Sequence, residues 1–256
     1  MEGWYDNGDG TYTISFGYLN RNPDEVVEIP HGDRNYIEPA EFNGLQPTHF
    51  LPSRNRGVFA VTIPADRRDQ DVWWYLTDDD GNEYKVPGRA RAEAYELDWV
   101  PRPHGSLPPL MWFDSEGRAT KGPKGAHADR TLTTSVGRPV ELAVSARDES
   151  VRDPEDARFR ETIPVRVVWS KYQGPPGDVT FTRPQGAASS DGSEAERPPE
   201  EINLSEARGT ARVLATFAAP GDYVIRAQAD NWTGPDSSSG DQCCWSNAYV
   251  RVRVSP

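Results

Sequence analysis

Cysteine, methionine and histidine are scarce in this chain, and no long apolar run occurs in it. Its 256 residues include two Cys, two Met and four His. The two cysteines are adjacent, Cys243 and Cys244, which excludes a disulfide-rich scaffold and a four-cysteine zinc site. No stretch approaches the ~20 apolar residues that cross a bilayer as a helix, so no membrane-spanning helix is expected. No signal peptide is expected within the first residues of this sequence. A mature or shortened chain would look the same, so this does not place the protein in the cytoplasm. Hydrophobic residues make up only 36%, and no segment carries a clean 3.6-residue apolar period, which argues against helical bundles.

Aromatics, glycine and proline fill the gap. Eight Trp, ten Tyr and eight Phe compensate for the low apolar content, because each buried ring removes roughly 150–250 Å² from water. With 22 Gly and 23 Pro and recurrent period-two alternation, the expected class is all-β. The length exceeds a usual single domain of roughly 100–150 residues, so two domains are expected. The net charge is −12 and is unevenly spread: residues 1–100 hold 19 acids and 9 bases, the remainder 21 and 19. An acidic first part repels phosphate backbones, so no nucleic-acid partner is expected.

Along the chain we expect an acidic β-sandwich over residues 1–100, a Pro/Gly-rich connector over 101–126, and a second sandwich over 127–256. The first should hold strands at 11–18, 25–29, 57–63, 71–77, 83–86 and 95–99. A long ordered loop should run from Pro30 to Arg56. Leu110-Met111-Trp112-Phe113 is too apolar for a free linker and should pack on a domain or form its first strand. In the second domain, strands are expected at 131–136, 140–146, 163–171, 179–182, 210–217, 223–229 and 248–254. A polar, mobile insertion is expected over 186–201.

Ala218-Ala219-Pro220-Gly221-Asp222-Tyr223-Val224 resembles the E–F corner of bacterial immunoglobulin-like and PKD-like domains. The resemblance covers roughly residues 130–256 and implies a tyrosine corner, in which the Tyr223 hydroxyl caps the turn while its ring fills the core. Gly221 makes the turn, and Trp169 matches the core tryptophan of strand C. The chain departs from antibody-type domains in lacking a strand B cysteine. Near the N-terminus, Asp6-Asn7-Gly8-Asp9-Gly10-Thr11-Tyr12-Thr13 is similar to a turn of filamin-type repeats. Both domains are accordingly expected to be immunoglobulin-like antiparallel β-sandwiches. Such folds serve as spacers, adhesins and accessory modules, and do not specify a function.

Candidate chemistry is sparse. The loops Asp6–Gly10 and Asp78–Asn82 invite a calcium reading, but an EF-hand needs Gly at position 6 and Glu at 12. Starting from Asp78 these positions are Glu83 and Arg89, so both loops read better as hairpin turns. His31, His49, His104 and His127 show no ligand spacing, and all four fall in predicted loops. No phosphate loop, dinucleotide fingerprint or nucleophile elbow occurs. No cofactor, metal or catalytic residue is therefore expected, and the chain is not read as an enzyme.

The loop between the sixth and seventh strands is the expected binding end, because a sandwich fixes the ends of such a loop while its length is free. It carries Asn231, Trp232, Cys243, Cys244 and Trp245. Cys243-Cys244 reads either as a vicinal disulfide presenting a rigid apolar turn, or as two reduced thiols at a strand start. Either Trp73 or Trp74 must face outward on its strand. With Trp232 and Trp245 it would offer a stacking platform for sugars. Asn231-Trp232-Thr233 and Asn203-Leu204-Ser205 also match the glycosylation acceptor pattern. The expected function is a non-catalytic, secreted, periplasmic or cell-surface interaction protein, such as a surface-assembly, filament or accessory subunit. Its expected partner is a protein or another copy of itself. A carbohydrate-binding module is the alternative, and a redox or metal protein using the cysteine pair is the third reading.

Overall fold

A computed structural model describes residues 1–99, 105–157, 161–184, 197–231 and 245–256. The protein is mostly β, with a few single 3-10 turns, and divides into two compact units, Met1–Asp98 and Trp99–Pro256.

The first unit contains β1 (Gly3–Asp6), β2 (Thr11–Asn20), β3 (Val27–Glu28), β4 (Asn35–Glu38) and β5 (His49–Phe50). It continues with β6 (Ser53–Pro64), β7 (Val72–Thr77), β8 (Glu83–Gly88) and β9 (Glu96–Leu97). One sheet has the order β6-β2-β1-β9, a second β4-β7-β8, and β3 pairs with β5. Alternation along β2 and β6 turns Ile14, Phe16, Val61 and Ile63 inward, each almost without solvent exposure. Phe16 stacks on Phe59 at 4.8 Å, and both meet Trp74 from the other sheet in edge-to-face contacts. The two sheets thus share one aromatic core.

The stretch from Pro30 to Arg56 is more ordered than a loop. It contains β4, β5 and the start of β6. β4 escapes a hydrophobicity pattern because its pivotal inward residue is polar. Asn35 is fully buried, donates through Nδ2 to the carbonyls of Ile29 and Pro47, and accepts from Trp74 Nε1. A buried amide is tolerated when each of its polar atoms is paired.

The second unit contains β10 (Leu110–Trp112), β11 (Ala126–His127), β12 (Leu132–Ser135), β13 (Val140–Arg147) and β14 (Val165–Gln173). It continues with β15 (Val179–Thr182), β16 (Glu201–Leu204), β17 (Arg208–Phe217), β18 (Gly221–Asp230) and β19 (Trp245–Ser255). One sheet runs β10-β13-β17-β15. The other runs β11-β19-β18-β14-β16, with β12 also paired to β19. Taken as A, B, E, D and G, F, C, these strands have the immunoglobulin arrangement, with β16 added beside C and β11 and β12 beside G. The first unit's strand order differs from this one.

Residues placed in a connector on sequence grounds belong in part to this sandwich. Leu110–Trp112 pairs with Ser145–Arg147, and Ala126–His127 with Ala248–Tyr249. The cause is apolar: Met111 has no exposure and Trp112 only 9%, burial that a free linker could not provide. His127 accordingly lies on a strand, stacked on Tyr249 at 5.0 Å. The end of the expected polar insertion is also held. Glu201 opens β16, and the Arg183 guanidinium donates to the carbonyls of Arg197, Pro198 and Glu201. Residues 186–196 lie outside the described residues.

Trp169 and Tyr223 sit together at the core of the second unit, and Gly221 opens β18. Trp169 and Tyr223 are buried between the sheets with Phe217, whose ring lies 4.7 Å from that of Tyr223. Gly221 has φ +147, and a Cβ there would meet Pro175 at 2.4 Å. Gly174, at φ +151, lets the Tyr223 ring approach so closely that a Cβ would lie 2.3 Å from it. Both positions require glycine for space as well as for backbone conformation.

Candidate functional site

The residues expected to form the binding loop divide into two groups. Trp232, Cys243 and Cys244 lie outside the described residues, so both readings of the cysteine pair stand as they were. Asn231 and Trp245 are described, and both are buried. The Asn231 Nδ2 donates to the Leu107 carbonyl at 2.7 Å, to Asp148 Oδ1 at 2.7 Å and to Ser150 Oγ at 3.1 Å. Asp148 also pairs with Arg152 at 2.7 Å, with side-chain exposures of only 4% and 12%. Arg152 in turn donates to Ser106 Oγ and to the Asn231 carbonyl. Asn231 therefore works as a structural pin that holds segments 105–107 and 148–152 to the end of β18. Trp245, opposite Asp230 on β19, is 9% exposed and offers no open ring face.

The Trp73-Trp74 pair behaves as strand alternation requires. Trp74 is core, while Trp73 points to the outer face of the β4-β7-β8 sheet. Register builds a ladder around it. Tyr36 lies opposite Tyr75 and Glu38 opposite Trp73 across β4 and β7, while Lys85 faces Tyr75 and Pro87 faces Trp73 across β7 and β8. The Tyr36 and Tyr75 rings stack at 4.5 Å with only 7° between their planes. The Lys85 ammonium sits 4.2 Å over the Trp73 ring and 4.8 Å over that of Tyr75. The Arg89 guanidinium approaches Trp73 at 5.5 Å and is itself held by Asp71 at 2.9 Å.

Electrostatics follow this geometry. A hydrogen bond to Tyr75 is the largest influence raising the Lys85 pKa, so the ammonium stays charged over the rings. Tyr36 is also held above its ordinary value, by desolvation first and then by Glu38. The two nearly parallel rings sit on directly opposed residues. Each commits one face to its neighbour, and Lys85 lies over a face of Trp73. These contacts take up one face of Tyr36 and part of the faces of Tyr75 and Trp73. Sequence reasoning found Trp73 but missed Tyr36, Tyr75 and Lys85. The period-two spacing of Trp73 and Tyr75 was a usable signal, whereas Tyr36 and Lys85 required the register.

The acidic loops behave as turns. Asp6 accepts from the Gly8 amide and Asp9 from the amide and hydroxyl of Thr11. Asp78 accepts from the amide and side chain of Asn82 and from the Tyr84 hydroxyl, bonds that lower its pKa. Among the described residues, no group of three His, Cys, Asp or Glu side chains gathers as metal ligands would. His31 bonds the Gln46 carbonyl and His49 bonds Glu28. His104 lies outside the described residues. No helix among the described residues is long and apolar enough to cross a membrane.

No family model matches the chain, and no curated protein matches it. Among solved structures, the D00-D0 domain of Intimin aligns at 14% identity over 94% of this chain and 98% of its own, with a TM-score of 0.27. The PapD-like domain 7 of human CEP192 aligns at 11% identity over 62% and 92%, with a TM-score of 0.28. The D0-D1 domain of Intimin aligns at 11% identity over 98% and 97%, with a TM-score of 0.26. At these scores the alignments carry no argument for this chain. By its own strand order it is an all-β protein whose second unit is an immunoglobulin-like sandwich.

Proposed function

We propose that this chain is a non-catalytic interaction protein of an extracytoplasmic setting, a surface-assembly, filament or accessory subunit, with a protein or another copy of itself as partner. The observation that carries the reading is the outward ladder of Tyr36, Tyr75 and Trp73 under Lys85 on the β4-β7-β8 sheet. Stiff aromatic side chains with polar tips provide contact area with little loss of side-chain freedom. Their enrichment at protein interfaces follows from this. A three-stranded sheet fixed on an aromatic core holds them in one geometry. The immunoglobulin-like second unit is a scaffold of the kind that presents loops and edges, which fits a module built for contact rather than chemistry.

Sedimentation velocity over a concentration series, with Tyr75→Ala and Trp73→Ala beside the parent, tests the reading. Association of the parent, with itself or with a co-purified protein, that weakens in both variants supports it. Association unchanged in both variants removes the ladder from the interface. Labelling of intact producing cells with a membrane-impermeant reagent tests the compartment. A glycan reading is favoured by one observation, the outward ring of Trp73. It requires a sugar to displace Lys85 from that ring, so on a glycan array Lys85→Ala should bind more strongly than the parent.

A further inference from the structure

The free edge of the three-stranded sheet is self-complementary. β8 pairs with β7 on one side, and among the described residues no strand pairs with its other side. The direction of its backbone groups follows from proline chemistry. Trp73 lies directly opposite Pro87, which has no N–H, so this is a wide pair that exchanges no hydrogen bonds. Alternation then makes Tyr75–Lys85 and Thr77–Glu83 wide pairs too. The Asp78 amide bonded to the Asn82 carbonyl at 3.1 Å fits the same parity, as the narrow pair next in line. The amides and carbonyls of Glu83 and Lys85 therefore point away from β7, toward the open edge. Glu83, Tyr84 and Lys85 are all exposed.

We propose that a second copy of this chain adds to that edge, antiparallel, β8 against β8, about a two-fold axis through Tyr84. The proposal rests on the interaction reading and specifies its geometry. In this register Glu83 faces the partner's Lys85 and Lys85 faces the partner's Glu83. Both are narrow pairs that exchange backbone hydrogen bonds, and each sets an acid against a base. Tyr84, 53% exposed, faces its own symmetry mate as a wide pair, the arrangement with the closer side chains. Such a contact is isologous and closes at two copies. The sheet becomes six-stranded, and the ladders of the two copies fall on one continuous face. Pro87 lies outside the four bonded residues and ends the pairing, so the contact is short and the dimer weak.

Two substitutions and one cross-link test the arrangement. Lys85→Glu places Glu83 against a glutamate in both pairs and should weaken dimerisation by about tenfold or more in sedimentation equilibrium. Exchanging the charges on one chain, Glu83→Lys with Lys85→Glu, should restore it. Tyr84→Cys should give a disulfide-linked dimer under mild oxidation, its bridge joining position 84 of the two copies and identified by peptide mass, because wide antiparallel pairs lie within disulfide reach. Tyr95→Cys, exposed but off the axis, should not link to itself. Absence of the position-84 bridge, or failure of the charge exchange to restore association, overturns the edge pairing. Association that persists in the parent while either of these fails leaves the wider interaction reading standing on another surface.

Discussion

The Tyr223 hydroxyl donates to the Ala219 carbonyl at 2.8 Å, across the turn that joins β17 to β18. Ring and hydroxyl act on different parts of the fold, since the ring fills the core between the sheets while the hydroxyl closes the turn. Tyr223→Phe should remove the hydroxyl contribution alone, about 1 kcal/mol. Tyr223→Ala should add the loss of a buried ring, about 3–5 kcal/mol in all. Urea unfolding of the two variants against the parent measures both, and equal losses would deny the hydroxyl a separate role.

Gly174 is the second half of that corner. Its φ of +151 and the tyrosine ring 2.3 Å from where a Cβ would lie leave no room for a side chain. Gly174→Ala should destabilise by about 1–3 kcal/mol through overpacking. Paired with Tyr223→Ala, the two losses should be less than additive, because removing the ring relieves the clash. A double-mutant cycle by denaturant melts provides the check.

Asn231 should behave as structure rather than as a binding residue. Asn231→Ala leaves the Leu107 carbonyl without this donor in a largely enclosed site, while Ser150 Oγ keeps the Leu107 amide. A loss of about 1–3 kcal/mol is expected, the cost of one orphaned polar group. Hydrogen exchange should show the amides of 105–107 and 148–152 opening together. Folded protein should also resist modification at Asn231, which has no exposed surface.

Trp73 and Trp74 are neighbours with opposite consequences. Trp74→Ala removes a core ring touched by Phe16, Phe50 and Phe59 and should cost about 3–5 kcal/mol. Trp73→Ala should leave the fold intact and lose mainly the contacts with Lys85 and Arg89, about 0.5–1 kcal/mol. Thermal melts followed by circular dichroism separate the two.

Stability should fall at high pH through Tyr249. Burial pushes its hydroxyl from 10.0 up to about 12, so the folded state holds the proton after the unfolded chain has released it. A raised folded pKa gives stability that is complete below pH 10 and lost as pH rises toward about 12. Tyr249→Phe should flatten the unfolding curve over that window, which a pH series of urea midpoints would reveal.

The parts of the fold legible in the sequence were those encoded locally. The corner at Gly221 and Tyr223 is a contiguous motif, and β13, β14, β18 and β19 announce themselves by alternation. β4 did not, because its buried anchor Asn35 is polar and reads as loop. β16 did not, because Glu201 and Asn203 continue a polar stretch. The ladder was half legible for a related reason. Trp73 and Tyr75 share a strand, but Tyr36 and Lys85 reach them only through pairings 39 and 10 residues apart in sequence. Asn231 was read as a binding residue because it opens a long loop, and only the folded positions of Leu107, Asp148 and Ser150 reveal its role.

β12 runs parallel to β19, with Leu132 beside Val252 and Ser135 beside Ser255. A pull on the chain before β12 and after β19 loads this ladder from opposite ends. All its rungs then bear the force together, in shear, and none can open first as in a zipper. Within the second unit, β12 and β19 are thus fastened to each other along four successive pairs. Force applied across β12 and β19 would have to shear that seam as a whole before the two strands part.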